Sequence, residues 1–399
     1  MKTIFLITLF FILFNIQNSL PFFTNDYNAI NSTSSKTVYI FGHKNPDTDT
    51  IASAITLSEY LKKVRPSDNI IPCRLGNLNK ETQYVLNTFK VETPKLLTNV
   101  TESDEIILVD HNDVSQSLEG ENINYGGLVD HHAITGFTTN NPVKIIANNV
   151  GSTCTIIYDL FKQNNITISN QTAGLILSSI ISDTVLLKSS ITTEQDIKTV
   201  EELAEITGLN YTKYGYDMLL AGTNVSDESE YYIITVDSKA YTPNRYPIQI
   251  ASIQSVNTSE ILNRKAKLLE EMDKYIKDNK KELFVLSIVD IINMDSILLV
   301  RGNLSSSVEK AFDSKLQDNQ MFLKGKTSRK KEIYPPIAKA INELPENEGY
   351  FEEDDDSSDY SSTSANASSD NETFIIVSYA YLSKNIGLNA LLCLVLLLI

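Results

Sequence analysis

Short apolar runs alternate with longer helical patterns along the first half of the chain. The apolar runs, rich in β-branched residues, lie at residues 38–41, 69–73, 105–109, 125–129 and 143–146. Patterns with helical spacing lie at residues 48–64, 81–89, 152–163, 171–187, 194–206 and 211–221. Strands that alternate with helices in this way predict βαβ units and a mostly parallel sheet.

The pattern after residue 230 predicts a second, smaller domain of mixed α/β structure. Its predicted strands lie at residues 231–237, 247–256, 282–292 and 296–301, and its helices at 260–277 and 337–344. We therefore predict a first domain over residues 36–220, a linker over 221–230 and a second domain over 231–345.

The two ends of the chain depart from this globular pattern. Lys2 and the apolar run at residues 4–14 have the layout of a signal peptide over residues 1–20, with an uncleaved anchor as the alternative. Residues 346–373 are acidic and rich in serine, which predicts a disordered linker. The apolar residues 374–399 predict either a glycosylphosphatidylinositol (GPI) signal or a membrane span interrupted by Lys384.

These ends predict where the protein works. Asn-x-Ser/Thr sequons recur along the chain, and behind a signal peptide several would carry glycans. We therefore expect a glycoprotein of the secretory pathway, tethered to a membrane through its C-terminus at the cell surface or in the lumen.

Charge and cysteine content argue against a basic nucleic-acid-binding protein and against a disulfide-rich scaffold. The net charge is −16, but ten acidic and no basic residues lie from Glu346 to Glu372, which leaves −6 on the rest of the chain. No basic excess remains that would indicate nucleic-acid binding. Three cysteines do not make a disulfide framework, so we expect buried thiols at Cys73 and Cys154, with a bridge between them as the alternative.

All four histidines of the chain lie in motifs that follow predicted strands. They are His43, His111, His131 and His132, each close to an aspartate. Strand ends in open α/β sheets are where ligand sites collect, and imidazole with carboxylate is a usual donor set for Mn, Co or Zn. The sequence therefore predicts a divalent-metal site, whereas the alternative for a single motif is a polar turn with aspartate as a helix cap.

The second domain contributes basic residues. Lys239 follows the predicted strand at 231–237, and Ser328, Arg329, Lys330 and Lys331 form a basic run. Arginine and lysine bind phosphate oxygens, and a cleft between two domains is a natural ligand site. The alternative is that these side chains form an ordinary solvated surface.

Five motifs in order carry a family resemblance over residues 36–343. They are Gly42-His43-x-Asn45-Pro46-Asp47-Thr48-Asp49, Val109-Asp110-His111-Asn112, Val129-Asp130-His131-His132, Ser182-Asp183 and Ser328-Arg329-Lys330-Lys331. The set is similar to that of the family II (manganese-dependent) inorganic pyrophosphatases of the DHH phosphoesterase superfamily. The resemblance implies an α/β fold with an N-terminal DHH metal-binding domain, a smaller DHHA2-type substrate-binding domain, and an active site in the cleft between them.

The resemblance also implies the residues of the site. Two Mn²⁺ or Co²⁺ ions per subunit are expected, with a further Mg²⁺ arriving with the substrate. The implied metal ligands are His43 and Asp47 for one ion, Asp49 and His131 for the other, and Asp110 and Asp183 between them. The implied phosphate-binding and catalytic residues are His132, Lys239, Arg329 and Lys330. Family members are homodimers, so a homodimer is implied as well.

The activity implied is that of an inorganic diphosphatase, an acid-anhydride hydrolase that cleaves pyrophosphate to two phosphates through a hydroxide shared by the two metals. One alternative is an exopolyphosphatase or another phosphoesterase of the superfamily, which His43 and the basic run disfavour. Another is a non-catalytic surface protein that binds metal or polyphosphate.

Glu332 replaces the family's usual glutamine after the basic run, and we expect it either to pair with Lys330 or Lys331 or to repel the substrate.

Overall fold

A six-stranded sheet organises the first part of the computed structural model, which describes residues 36–120 and 122–347. Its strands are β1 (Thr37–Phe41), β2 (Asn69–Arg74), β3 (Lys95–Leu96), β4 (Glu105–Val109), β5 (Tyr125–Asp130) and β6 (Lys144–Ala147). The strands lie in the order β3-β2-β1-β4-β5-β6, and every pair is parallel. This confirms the mostly parallel sheet that the sequence predicts.

Six helices accompany this sheet in the described residues. They are α1 (Thr48–Val64), α2 (Lys80–Phe89), α3 (Thr153–Gln163), α4 (Asn170–Asp183), α5 (Glu194–Thr207) and α6 (Tyr211–Gly222). Each begins after a polar residue whose side chain accepts a backbone N–H of the first turn, as Asp47 does for α1. Such N-caps satisfy donors that would otherwise lack a partner, which explains why these helices start where they do.

One predicted helix ends earlier than its apolar pattern indicates. We expected a helix over residues 171–187, but α4 ends at Asp183. Val185, Leu186 and Leu187 all have positive φ angles, between 47° and 63°, so the chain turns through the left-handed region without a glycine. The apolar side chains still pack against the core, which is why hydrophobicity alone does not reveal the turn.

A mixed five-stranded sheet forms the second part. Its strands are β7 (Ser238–Tyr241), β8 (Ile248–Ser255), β9 (Leu283–Asp290), β10 (Asp295–Gly302) and β11 (Gln320–Leu323). They lie in the order β11-β10-β9-β8-β7, and only the β8–β9 pair is parallel. The helices here are α7 (Glu230–Thr235), α8 (Thr258–Leu262), α9 (Lys265–Asp278), α10 (Ser305–Phe312) and α11 (Tyr334–Asn342). The smaller mixed α/β part is confirmed.

Several elements of this second part were predicted wrongly. The strand expected at residues 231–237 is helix α7, because the Ser229 hydroxyl caps it by accepting the N–H of Tyr232 at 3.1 Å. Lys239 therefore lies within β7 and does not follow a strand. The single helix expected at 260–277 is divided into α8 and α9. The short helix α10, strand β11 and a π-helical turn over Arg329–Ile333 were not predicted.

The core places the carboxyl ends of three neighbouring strands together. β1, β4 and β5 are adjacent, with α1 and α3 packed on one face and buried side chains such as Phe41 and Leu108 on the other. From β1 the chain continues to β2 on one side of the sheet, whereas from β4 it continues to β5 on the other side. The strand order therefore reverses between β1 and β4. Such a reversal opens a crevice at the carboxyl ends of the strands.

Apolar contacts join the two sheets in one compact unit. Val256, Val289 and Ile291, from the second part, belong to the same buried cluster as Leu219 of α6 and Ile181 of α4. Burial of this kind stabilises the arrangement of the two parts. It also fixes the second sheet next to the C-terminal end of α4, where Asp183 lies.

The fold also bears on the predicted chain ends and thiols. In the described residues, no helix is both long enough and apolar enough to cross a membrane. The predicted signal peptide at residues 1–20, the acidic segment from residue 348 and the apolar residues 374–399 lie outside the described residues. Cys73 and Cys154 are buried free thiols, so the alternative of a bridge between them is wrong.

Candidate metal centre

Three strand ends and one helix end bring the predicted metal-binding residues together. His43, Asp47 and Asp49 follow β1, and Asp47 is also the N-cap of α1. Asp110 follows β4, and His131 and His132 follow β5. Asp183 is the last residue of α4. Because β1, β4 and β5 are parallel neighbours, their carboxyl ends converge on one place.

Asp110 occupies the middle of this cluster. Its Oδ2 lies 3.5 Å from Nε2 of His43, and its Oδ1 lies 3.4 Å from Nε2 of His131. The residue is almost wholly buried, and its φ of 59° is in the left-handed region that few residues other than glycine occupy. Strained backbone of this kind concentrates at functional sites. The carboxylate therefore faces a different histidine with each of its oxygens.

Three groups of ligand atoms each lie within 4.8 Å of one another. They are His43 with Asp47 and Asp110, Asp110 with His131 and His132, and Asp49 with His131 and Asp183. Adjacent groups share Asp110 or His131, so the groups form one continuous cluster. All six metal-binding residues expected from the sequence are in it, together with His132.

Hydroxyl and amide donors fix the two most buried carboxylates of the cluster, those of Asp49 and Asp110. Asp49 accepts the Ser152 hydroxyl at 2.9 Å and the Thr153 amide at 2.8 Å, as well as the Ser179 hydroxyl. Asp110 accepts the Thr50 hydroxyl at 2.6 Å. Such outer contacts orient metal ligands and tune them. These hydroxyls could not be predicted from the sequence, because isolated Ser and Thr residues in helices or at their N-caps carry no distinguishing pattern.

Hydrogen bonds at Nδ1 orient two of the imidazoles. Nδ1 of His131 lies 3.1 Å from the Val150 carbonyl oxygen, and Nδ1 of His132 lies 2.9 Å from Oδ1 of the buried Asp130. In His131, a proton on Nδ1 that is donated to this carbonyl leaves Nε2 free to bind a metal ion. In His132, the hydrogen bond with Asp130 raises the pKa of the imidazole, which favours the form that also carries a proton on Nε2 and can donate it. Asp130 is the first residue of the Asp130-His131-His132 motif, and its position makes it a positioning residue for His132.

Crowded charges perturb the titration of the metal-free cluster. Burial, followed by the charge of Asp49, raises the pKa of Asp110 to about 6, and burial also raises the pKa of Asp183 well above its usual value. Burial by itself would lower the pKa of His43, but hydrogen bonds with Asp110 and Asp47 raise it to about 10. His131 behaves similarly, because Asp110 and Asp49 outweigh its burial and raise its pKa to about 9. In the metal-free cluster, protons bound to these side chains thus offset the negative charge of the carboxylates.

The cluster fits divalent cations. Asp183 Oδ2 and His43 Nδ1 are buried and have no hydrogen-bond partner among the described residues. An unpaired buried polar atom is costly, and a cation would satisfy the Asp183 oxygen. Carboxylate oxygens and imidazole nitrogens are a donor set for Mn²⁺ and related ions. Cations would also replace the protons that hold the four carboxylates together.

Two cavities adjoin the cluster. One, of about 500 Å³, is lined by six of its members, namely His43, Asp47, Asp110, His131, His132 and Asp183. The other, of about 460 Å³, has Asp47, Glu81 and Ser182 on one side and Thr327 and Ser328, from the second part of the chain, on the other. Asp47 lines both. Space next to the acidic cluster is therefore bounded by both parts of the chain.

The basic residues predicted to bind phosphate do not line this second cavity, although Arg329 and Lys330 directly follow Ser328, which does. Arg329 Nη1 pairs with Asp237 Oδ1 at 2.8 Å and also donates to the Asp237 carbonyl oxygen. Because Asp237 is two residues before Lys239, this pair joins the basic run to the strand that carries Lys239. Lys239 and Lys330 are exposed, and neither they nor Arg329 line the two cavities.

Glu332 stabilises the turn that begins the basic run. Its Oε2 accepts the backbone N–H of Thr327 at 2.8 Å and that of Ser328 at 2.9 Å. These two hydrogen bonds lower the pKa of Glu332. Of the two roles expected for this carboxylate, a pair with Lys330 or Lys331 is not observed among its described contacts, which are with the backbone of the turn. Repulsion of the substrate stays a prediction.

Comparison with known families agrees with this architecture. The family described as "DHH family, N-terminal domain" matches residues 37–180, and the "DHHA2 domain" matches residues 216–340. The first match covers the parallel sheet and the metal cluster except Asp183, which lies three residues beyond it. The second covers the mixed sheet and the basic run.

Individual relatives match over nearly their whole length. A protein of Bacillus licheniformis named "Probable manganese-dependent inorganic pyrophosphatase" is 42% identical over 306 residues, which are 76% of this chain and 98% of the relative. One of the same name from Staphylococcus aureus strain JH9 is 43% identical over 304 residues, again 76% of this chain and 98% of the relative. A crystal structure of a Methanococcus jannaschii protein assigned to the family II inorganic pyrophosphatases matches with a TM-score of 0.52 and 38% identity, over 77% of this chain and 100% of that one.

These comparisons correct the predicted location. We expected a signal peptide, glycans, a GPI anchor or membrane span, and a place in the secretory pathway. The relatives align with the chain over 98% of their length, and nothing in their names describes a secreted or membrane-attached protein. The described residues contain no helix that could cross a membrane. The prediction relied on the layout of Lys2 and the apolar runs at the two chain ends, which lie outside the described residues, and on the sequons. Short apolar runs are weak evidence for targeting.

The family assignment rests on agreement between separate observations. The five sequence motifs, the two matched domains and the full-length relatives all point to the same family. The cluster around Asp110 supplies the manganese-type donor set that the relatives' names require. The chain belongs to the DHH family and, within it, to the manganese-dependent inorganic pyrophosphatases.

Proposed function

We propose that this chain hydrolyses inorganic pyrophosphate to two phosphates with two Mn²⁺ ions. The observation that carries the proposal is the position of Asp110, whose two oxygens face His43 on one side and His131 on the other. A carboxylate placed in this way can bind two ions, one with each oxygen. Bound manganese supplies Lewis acidity toward phosphoryl oxygens and lowers the pKa of a bound water.

The chain's own residues would divide the two ions between them. His43 and Asp47 would hold one ion and Asp49 and His131 the other, with Asp110 and Asp183 between them. The three groups of ligand atoms support this division for His43 and Asp47 on one side and Asp49 and His131 on the other, with Asp110 shared. Asp183 lies only in the group of Asp49 and His131, so its place between the ions rests on the family resemblance. Co²⁺ has similar ligand preferences and would be accepted in place of Mn²⁺.

Four residues would hold the substrate. We propose that Arg329, Lys330 and Lys239 bind phosphate oxygens and that His132, oriented by Asp130, donates a hydrogen bond from the metal side. The active site would then lie in a cleft between a metal-binding domain over residues 36–220 and a substrate-binding domain over 231–345. The cavity lined by both Asp47 and Ser328 supports this arrangement. The Mg²⁺ that accompanies pyrophosphate and the homodimer stay predictions from the family resemblance.

Phosphate release from pyrophosphate, tripolyphosphate and long-chain polyphosphate tests the proposal. With Mn²⁺ and Mg²⁺ present, we expect pyrophosphate to be cleaved with the highest kcat/KM of the three. A preference for long chains would instead indicate the exopolyphosphatase activity of a superfamily relative. Binding of Mn²⁺ without cleavage of any of these substrates would indicate a non-catalytic protein.

Binding of Mn²⁺ to the metal-free protein is expected to release protons. The pKa values of His43 and His131 are about 10 and about 9 in the metal-free cluster, so both imidazoles are protonated near neutral pH. A histidine must be neutral to bind a metal ion, so binding displaces these protons. The affinity for Mn²⁺ should therefore rise with pH until the pH approaches those values. Isothermal titration calorimetry in buffers of different ionisation enthalpy measures the released protons, and heats that do not depend on the buffer would contradict this expectation.

A further inference from the structure

Glu81 joins the two segments that carry the metal-binding carboxylates. It lies in the first turn of α2, and its Oε1 accepts the Thr48 hydroxyl at 2.7 Å and the Ser182 hydroxyl at 2.5 Å. Thr48 stands between Asp47 and Asp49, and Ser182 immediately precedes Asp183. A single carboxylate oxygen therefore connects the loop after β1 to the end of α4.

These contacts hold the parts of the cluster that have the least support of their own. Asp49 accepts several hydrogen bonds and Asp110 accepts the Thr50 and Thr153 hydroxyls, whereas the Oδ2 atom of Asp183 has no hydrogen-bond partner among the described residues. Asp183 is also the last residue of its helix, just before the left-handed turn. The Ser182–Glu81 hydrogen bond, at the residue immediately before Asp183, therefore helps to fix the position of Asp183 relative to Asp49.

The packing around Glu81 keeps it in place. A Cβ atom at Gly222 would lie 2.9 Å from Cβ of Glu81 and 3.1 Å from its Oε2, so only glycine leaves room for the glutamate at this distance. The same side chain lines the cavity that Asp47 shares with Thr327 and Ser328. Glu81 is therefore set against α6 on one side and against the cavity beside the metal cluster on the other.

From these contacts we propose that Glu81 is a positioning residue, which holds the Asp47–Asp49 loop and Asp183 at the separation that two Mn²⁺ ions need. The inference rests on the proposed metal-dependent function. Glu81 itself would not bind the ions; it would act through Thr48 and Ser182. Outer residues that orient metal ligands typically contribute about 10- to 100-fold to metal affinity or activity.

The test compares Mn²⁺ affinity of the metal-free protein across matched variants, measured by electron paramagnetic resonance of free Mn²⁺. Glu81→Ala should weaken Mn²⁺ binding by about 10- to 100-fold. Glu81→Gln keeps an oxygen that can accept both hydroxyls and should restore most of the affinity. Ser182→Ala removes one hydroxyl without touching Glu81 and should give a smaller loss, so the inference is tested even if Glu81→Ala does not fold.

Glu59 provides the matched control. Its Oε2 accepts the Thr172 hydroxyl at 2.5 Å and so joins α1 to α4 at the opposite end of the same helix pair. Glu59→Ala removes a similar contact far from the ligands and should leave Mn²⁺ affinity unchanged. Equal losses in Glu59→Ala and Glu81→Ala, or unchanged affinity in both Glu81→Ala and Ser182→Ala, would overturn the proposal.

The two proposals fail in different ways. If the unaltered protein binds Mn²⁺ but does not cleave pyrophosphate, the proposed function fails while the affinities of the Glu81 variants still decide the role of this residue. If it cleaves pyrophosphate and the variants bind Mn²⁺ as well as it does, only the role of Glu81 is overturned.

Discussion

Replacing Asp110 by asparagine is expected to lower kcat/KM for pyrophosphate by on the order of a thousandfold, because metal-ion catalysis supplies several kcal/mol and each 1.36 kcal/mol corresponds to a factor of ten. The carboxylate faces His43 and His131 with different oxygens, and a neutral amide cannot serve two cations in the same way. Asparagine tolerates the φ of 59° at this position, so the backbone should be preserved. Steady-state kinetics and Mn²⁺ stoichiometry measure the effect.

Asp113→Asn is the control for this substitution. Asp113 lines the same cavity, and its Oδ1 accepts the N–H of Ser115 at 2.9 Å, a cap that asparagine can also provide. It belongs to none of the three groups of ligand atoms. Asp113→Asn should therefore retain activity, and an Asp110→Asn variant as active as Asp113→Asn would refute the shared role of Asp110.

Removal of the Arg329 side chain is expected to have the second-largest effect. Arg329→Ala should reduce kcat/KM for pyrophosphate by about 100-fold or more, the loss that is typical when one donor to a developing negative charge is deleted. In the structure this guanidinium is held by Asp237, next to the strand of Lys239 and the turn of Ser328. Arg329→Lys should recover only part of the loss, because lysine cannot bind two phosphate oxygens in a fork.

A second arginine in the same part of the chain provides the comparison. Arg301 Nε donates to Asp273 Oδ1 at 2.7 Å, so Arg301→Ala also removes an arginine that is paired with an aspartate. Both pairs are partly exposed, and surface ion pairs contribute little to stability, so both alanine variants should remain folded. If Arg329→Ala and Arg301→Ala have the same kcat/KM as the unaltered protein, Arg329 does not bind the substrate.

Local patterns predicted most of the first part of the chain. The helix at residues 48–64 and the strand at 105–109 have the predicted bounds, because a polar cap or a run of β-branched residues marks each end. The meeting of the three histidine-containing motifs was also predictable, since each follows a strand and parallel strands end at the same edge. The individual metal ligands, including Asp183 at the end of a helix, came from the family resemblance and stay a prediction. The apolar run of β1 was sufficient to predict that the loop from Asp47 to Asp49 follows a strand.

Features that depend on tertiary packing could not be predicted in this way. The strand expected at 231–237 is a helix because the Ser229 cap and the packing of Ile233 and Ile234 outweigh the β-propensity of the segment. The turn after Asp183 contains no glycine, so the sequence gives no local signal of its left-handed backbone. Glu81 lies more than thirty residues from Thr48 and more than a hundred from Ser182, so only the folded chain reveals their contact. The apolar ends, in turn, suggested a location that the relatives do not support.

The most direct measurement is the release of phosphate from pyrophosphate by the purified protein, metal-free and then loaded with Mn²⁺ in the presence of Mg²⁺. Two phosphates per pyrophosphate should appear with the loaded protein, faster than from tripolyphosphate or longer chains, and almost none with the metal-free protein or Asp110→Asn. A folded protein that binds Mn²⁺ and releases no phosphate from pyrophosphate would contradict the proposed function.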